Sequence, residues 1–278
     1  MTRRPLVLLG LACATAAGAF AVWLATFHVP GAGRLDDRAL QTFTSAAPPR
    51  LTPSIHGVAD LANPAPFVVI GLALLLVALA RRRWLMAAAV PLILLAANLT
   101  TQQLKPSLAD LRVVDLRAGN ATYLGSWPSG HSTASMSLAL CLVLVAGPRM
   151  RPLAALIGAG YAIAVGYSLV VLGYHLPSDV FGGYLVAATF TLLGAAALSA
   201  LEARRPARAT ATPPSAVSAP ALAGLAALLV AFVALVVLIR RPGTTLDALE
   251  HPSAMLTAIA IAALGLALPT GLASVLRR

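Results

Sequence analysis

Residues Val180 to Leu201 read VFGGYLVAATFTLLGAAALSAL, a run without a single Asp, Glu, Lys or Arg. A helix needs about 20 such residues to cross the roughly 30 Å hydrocarbon core of a bilayer, and this run supplies them. Comparable uncharged stretches lie at Pro5 to Phe27, Leu61 to Ala80, Trp84 to Leu104, Ala134 to Pro148, Pro152 to Tyr174, Ala219 to Ile239 and Ala254 to Leu276. The stretch from Ala134 is short by itself, yet no acidic or basic side chain intervenes back to Ala118, so a spanning helix that starts near Ser129 is long enough. Backbone groups in lipid must be satisfied within their own segment, so each run is predicted to be a helix. The expected fold is all-α, a polytopic membrane bundle of eight helices. Composition agrees: hydrophobic residues make up 59% of the chain, charged residues 10%, and mean hydropathy is +0.86. An ordinary soluble domain is excluded.

Arginines set the orientation. With the amino terminus cytoplasmic, the inner connections carry Arg81, Arg82 and Arg83, then Arg149 and Arg151, then Arg204, Arg205 and Arg208, while the ends add Arg3, Arg4, Arg277 and Arg278. Glu202 is the one acid on that side, so the formal charge of +11 lies on the cytoplasmic face, as the positive-inside bias requires. Arg240 and Arg241, placed outside, run against it. These short clusters beside lipid spans, without aromatic interleaving, read as anchors touching anionic membrane lipid and not as a nucleic-acid surface. Cys13 and Cys141 fall in apolar runs and suggest neither a disulfide framework nor a metal site. The first span follows Arg3 and Arg4 as a signal peptide would, but its length favours an uncleaved anchor.

Three parts follow. Residues 1–201 form a six-helix core, 202–219 a cytoplasmic linker rich in Pro and Arg, and 220–278 a two-helix appendage. The longest outer connection, His28 to about Asp60, is expected to lie on the membrane surface or cover a site.

The chemistry-bearing residues concentrate between Lys105 and Asp179 and fall on one membrane face. Pro128-Ser129-Gly130-His131 opens the fourth span. Gly130 permits close backbone approach, Ser129 can cap, and the first free N–H groups of the helix make an anion site. The plain alternative is a capped membrane helix with an interfacial histidine. In His175-Leu176-Pro177-Ser178-Asp179, Pro177 suits the first helical position, which places Asp179 where its carboxylate can reach back to His175. That bond fixes the tautomer and leaves the other ring nitrogen free as a nucleophile toward phosphorus. Its alternative is an Asp that only complements the helix dipole. Lys105 and Arg112 are either snorkelling anchors or cations for phosphoryl oxygens. Two of the chain's five histidines share this face with them.

Lys105 to Arg112, Pro128-Ser129-Gly130-His131, and Ser168 with His175 and Asp179 together resemble the type 2 phosphatidic acid phosphatase superfamily, with its motifs Lys-x6-Arg-Pro, Pro-Ser-Gly-His and Ser-Arg-x5-His-x3-Asp on a six-helix core. The resemblance spans roughly Leu61 to Leu201. It implies a metal- and cofactor-independent lipid phosphatase at the outer face of the plasma membrane, hydrolysing a lipid phosphate or pyrophosphate. In that scheme His175 forms a phosphohistidine, Asp179 orients it, His131 protonates the leaving oxygen, and Lys105, Arg112, Ser129 and the Gly130 N–H hold the phosphoryl group, with Ser168 part of the third motif. A phosphotransferase, or a non-catalytic lipid-phosphate binder or transporter on the same scaffold, remains open. Soluble vanadium-dependent haloperoxidases share similar motifs but not the spans. Two positions depart from the pattern: Val113 replaces Pro, and Leu169 replaces a phosphate-binding Arg. The expectation is that Leu169→Arg restores a phosphate contact, unless Arg117 already fills that role.

Overall fold

The computed structural model describes residues 3–29, 31–46, 49–108, 111–116, 119–204 and 251–277. Its helices are α1 (Arg4–His28), α2 (Ala32–Ala46), α3 (Thr52–Asp60), α4 (Pro64–Ala80), α5 (Trp84–Ser107), α6 (Gly130–Val145), α7 (Arg151–Val171), α8 (Pro177–Ala203) and α9 (Pro252–Val275). Proline stands in the first or second position of α1, α3, α4, α7, α8 and α9, where its fixed φ starts a helix and its missing N–H costs nothing. Helices α1, α5, α7, α8 and α9 are each long and apolar enough to cross a membrane, and residues Pro49–Asp60 with α4 pass the same test only as a pair, bent by 49° at the break between them. The expected seventh span, Ala219 to Ile239, most of the linker, and Arg240 and Arg241 lie outside the described residues.

The shorter α6 is the axis of the bundle, with nearly every side chain buried. A helix apolar on all sides belongs inside, and α6 is flanked by α4, α5, α7, α8 and α9. Lipid offers no hydrophobic drive for helix association, so close contact depends on small residues. A Cβ on Gly158 of α7 would stand 3.0 Å from the Ala139 backbone, and one on Gly183 of α8 would stand 2.6 Å from the Ser129 carbonyl oxygen. Ile261, Leu272 and Ala273 of α9, with Leu276 just beyond its end, join the same apolar core as α4 to α8. The described part of the expected appendage is thus packed into the bundle.

Two features of the connections expected to lie outside were not anticipated. Residues 32–60 form two helices and a 3-10 turn at Pro49–Leu51 where one long loop was expected. After α5 the chain makes an antiparallel hairpin, β1 (Leu111–Leu116) with β2 (Gly119–Leu124), pairing Leu111 with Leu124 and Leu116 with Gly119. Six-residue strands are too short to stand out beside twenty-residue apolar runs.

The two ends of the bundle differ. At one end Arg4 and Arg151 both donate to the Leu276 carbonyl, at 3.0 and 2.8 Å. Arg81 and Arg83 satisfy the last carbonyls of α6 at Val145 and Leu144. The basic clusters therefore gather where the orphan carbonyls of helix C-termini need donors. The opposite end carries α2, α3, the hairpin and the starts of α6 and α8.

Candidate functional site

Ser129 occupies the N-cap of α6 in an extended conformation, and its Oγ accepts from the Ser132 N–H at 3.3 Å. Its own N–H donates to the Asp179 carbonyl at 2.9 Å, which ties the start of α6 to the first turn of α8. Gly183 makes that tie possible, because any side chain there would strike Ser129 and Thr133. One turn along α6, the Thr133 and Thr101 hydroxyls meet at 3.0 Å and fasten α5 alongside.

Lys105 reaches this junction from the last turn of α5. A Cβ on Gly130 would stand 3.8 Å from Lys105 Nζ, so the ammonium lies beside the first residue of α6. Cationic side chain and helix N-terminus combine into one anion-attracting corner.

His175 stands in the tight connection between α7 and α8. Gly173 turns the chain there with φ +71°, a conformation open to glycine, and the Tyr174 N–H folds back onto the Leu169 carbonyl at 2.9 Å. His175 Nδ1 then meets Asp179 Oδ2 at 3.1 Å. The same oxygen accepts from the Leu176 N–H at 3.1 Å, the reach-back bond of a helix N-terminus. Asp179 is fully buried and His175 is 12% exposed, so the carboxylate supports the ring from behind while Nε2 is left open. The charge of Asp179 also acts on Lys105.

His131, half-buried in the first turn of α6, has His175 and Lys105 as electrostatic neighbours. Lys105, Ser129, Gly130, His131, His175 and Asp179 are thereby brought to one place. Arg112 lies on β1 opposite Tyr123. Arg117 lies outside the described residues. Ser168 is not directed to this group: its Oγ donates to the Val165 carbonyl at 2.7 Å within α7.

Leu169 differs most from the sequence expectation. Its side chain is 1% exposed and packs with Ala59, Ala62 and Val165 in an apolar cluster between α3 and α7. An arginine there would displace these contacts with α3.

Three polar residues join the site without a sequence signal strong enough to mark them. Asn63, at the bend between α3 and α4, places Oδ1 at 2.8 Å from His131 Nε2 and donates through Nδ2 to Asp60 Oδ1 at 3.0 Å. Asp36 of α2 accepts from the Ser178 N–H at 3.0 Å and the Ser178 hydroxyl at 2.6 Å, capping α8 from 142 positions away. An Asp or Asn just before Pro64 marks a helix start, but nothing local tells which histidine it will meet. Among the described residues no cluster of three His, Cys, Asp or Glu is placed to hold a metal.

Beside this end, a groove of about 220 Å³ opens between α1, α5 and α8, lined by Phe20, Trp23, Leu104, Leu108, Trp127 and Phe190. Leu104 and Leu108 flank Lys105 on the chain, and Trp127 precedes Pro128.

Comparison with known proteins agrees with this architecture. Residues 85–203 match the model of the PAP2 superfamily. The structure is similar to the crystal structure of the first transmembrane PAP2 type phosphatidylglycerolphosphate phosphatase from Bacillus subtilis, with a TM-score of 0.51 and 20% identity, over 73% of this chain and 99% of that one. No curated protein gives a significant match.

Proposed function

We propose that this chain, a multi-pass membrane protein whose residues 85–203 are of the PAP2 superfamily, is a lipid phosphatase acting at the outer face of the plasma membrane. The observation that carries the reading is the buried Asp179 carboxylate held on His175 Nδ1, with Lys105 and His131 at the same helix start.

The chemistry runs in two steps. His175 Nε2, its lone pair exposed because Nδ1–H is engaged by Asp179, attacks phosphorus; a P–N bond forms while the P–O bond to the lipid breaks. His131 gives its proton to the departing oxygen. Water then attacks phosphorus, His131 takes a proton from it, the P–N bond breaks, and inorganic phosphate leaves. Asp179 favours the imidazolium character that grows on His175 in the first step. Lys105, Arg112, the Ser129 hydroxyl and the Gly130 N–H are assigned to the phosphoryl oxygens, where charge-assisted bonds are strongest.

The groove beside Lys105 supports a lipid substrate, since an acyl or polyprenyl tail lying among Phe20, Trp23 and Phe190 would leave its headgroup at the start of α6. Candidate headgroups are phosphatidate, phosphatidylglycerol phosphate and a polyprenyl pyrophosphate. The test is phosphate release from purified samples of these three, with a chelator present, by wild type and His175→Ala. Wild type should release phosphate from at least one, and His175→Ala should lose about a thousandfold or more of that activity. Tight binding of all three without phosphate release would make the chain a lipid-phosphate binder.

A further inference from the structure

His131 is held as well as placed. Its Nε2 stands 2.8 Å from Asn63 Oδ1, and the orientation of the Asn63 amide is not arbitrary. Nδ2 lies 3.0 Å from Asp60 Oδ1, and a carboxylate oxygen only accepts, so the amide nitrogen must face Asp60 and the amide oxygen His131. An amide oxygen in turn only accepts, which puts the proton of His131 on Nε2.

Asn63 is itself fixed by the fold. It terminates the bend between α3 and α4, where the Tyr161 hydroxyl donates to the Leu61 carbonyl at 2.9 Å and the Asn63 carbonyl begins the hydrogen bonding of α4. A single Asp60–Asn63–His131 chain therefore runs from an exposed carboxylate to the imidazole at the start of α6.

We propose that Asn63 is the positioning residue for His131, and that it reserves Nδ1 for the proton that is transferred. The inference rests on the phosphatase reading above. The proton balance favours this arrangement in both steps. In the first step the imidazolium gives the Nδ1 proton to the leaving oxygen and remains neutral with hydrogen on Nε2, still bonded to Asn63. In the second step the Nδ1 lone pair takes the proton of the attacking water. Asn63 keeps the same bond throughout, so the ring need not turn between its two duties. Burial opposes the protonated form of His131 most, His175 from the α7–α8 connection and Lys105 from α5 oppose it further, and Asp60 from α3 favours it. Asn63 relays the one favourable group through an oriented amide.

The test uses the full-length purified protein, with dioctanoyl phosphatidate as substrate and ring-¹⁵N histidine labelling. The His131 signals are assigned by their loss in His131→Gln. In wild type the neutral ring should be the Nε2–H tautomer. Asn63→Leu, similar in size but without the acceptor, should give mixed tautomers, reduce kcat about tenfold or more with KM little changed, and move the alkaline limb of the pH profile to lower pH. The swap Asp60→Asn with Asn63→Asp reverses donor and acceptor between the two positions, yet still presents an accepting oxygen to Nε2. It should recover most of kcat and move the alkaline limb above that of wild type, because a carboxylate now touches the ring directly. Unchanged tautomers or an unchanged pH profile in Asn63→Leu would overturn the proposal. So would a swapped pair that melts at the wild-type temperature and is no more active than Asn63→Leu. Should wild type release no phosphate from any lipid phosphate, the phosphatase reading fails, while the tautomer of His131 in Asn63→Leu still decides the role of Asn63.

Discussion

His175 and Asp179 are four positions apart, close enough for the sequence alone to pair them, and the 3.1 Å contact is the one a proline-started helix was expected to build. Replacing the carboxylate tests what that contact does. Asp179→Asn keeps the shape but not the charge, and its amide can present a donor to Nδ1, favouring the tautomer with the proton on Nε2. The nucleophilic lone pair then faces the wrong way, so kcat should drop by roughly 10² to 10⁴-fold while the melting temperature stays near wild type; steady-state kinetics beside a thermal melt checks both. Leu169 is the opposite case, where motif position alone does not tell what the side chain touches. The residue is next to Ser168 in the chain, but its side chain lies among Ala59, Ala62 and Val165. A guanidinium introduced there loses water without gaining an anion, which costs several kcal/mol. Leu169→Arg is therefore expected to lower the melting temperature and reduce activity. A rise in kcat/KM at unchanged stability would show that the arginine finds its way to the phosphate.

At the level of elements, the spans were legible because burial in lipid writes itself into twenty consecutive residues, and the boundaries of α5 and α7 follow the apolar runs to within a few positions. What was not legible depends on meetings between distant segments. The Asp36 cap on α8 joins residues 142 positions apart, and the Asn63 contact with His131 joins residues 68 apart. The motif glycine, Gly130, could be read as making room for a ligand, whereas Gly183 could not be distinguished from the other glycines of α8 until α6 was seen against it. Gly183→Ala carries the consequence. The new methyl would lie 2.6 Å from the Ser129 carbonyl oxygen and 2.8 Å from Ser132 Cβ, and the first of these contacts is with backbone. Helix α8 must retreat, stretching the Ser129 N–H bond to the Asp179 carbonyl and moving His175 away from Lys105. Overpacking of this kind costs about 1 to 3 kcal/mol, and a sub-ångström displacement of a nucleophile is costly in rate as well. Gly183→Ala should lose about tenfold or more in kcat with a modest fall in melting temperature. The same substitution at Gly160 of α7, where a Cβ meets nothing within 4 Å, should change neither.

For the whole molecule, the distribution of charge and the position of the site are two readings of one asymmetry. Arg4, Arg81, Arg83 and Arg151 converge on helix C-termini at one end, where donors are needed and where, with that end cytoplasmic, the membrane surface would supply anionic lipid. The candidate site sits at the other end, at helix N-termini, which suit a phosphate. The dipole of α6 therefore serves both purposes, and the proposed outer placement of the site follows if the positive-inside bias holds for this chain. Single cysteines decide it, in a Cys13→Ser background because that thiol is exposed while Cys141 is buried. Ser107→Cys, at the exposed end of α5 two residues beyond Lys105, should react with a membrane-impermeant maleimide added to sealed right-side-out vesicles. Met150→Cys, exposed beside Arg151, should react only after the vesicles are opened. The reverse pattern would turn the protein over and place the phosphatase chemistry on the cytoplasmic side. It would leave the His175–Asp179 geometry untouched, but the outer-leaflet lipid would no longer be the substrate pool, and the arginine clusters would need a reason other than topology.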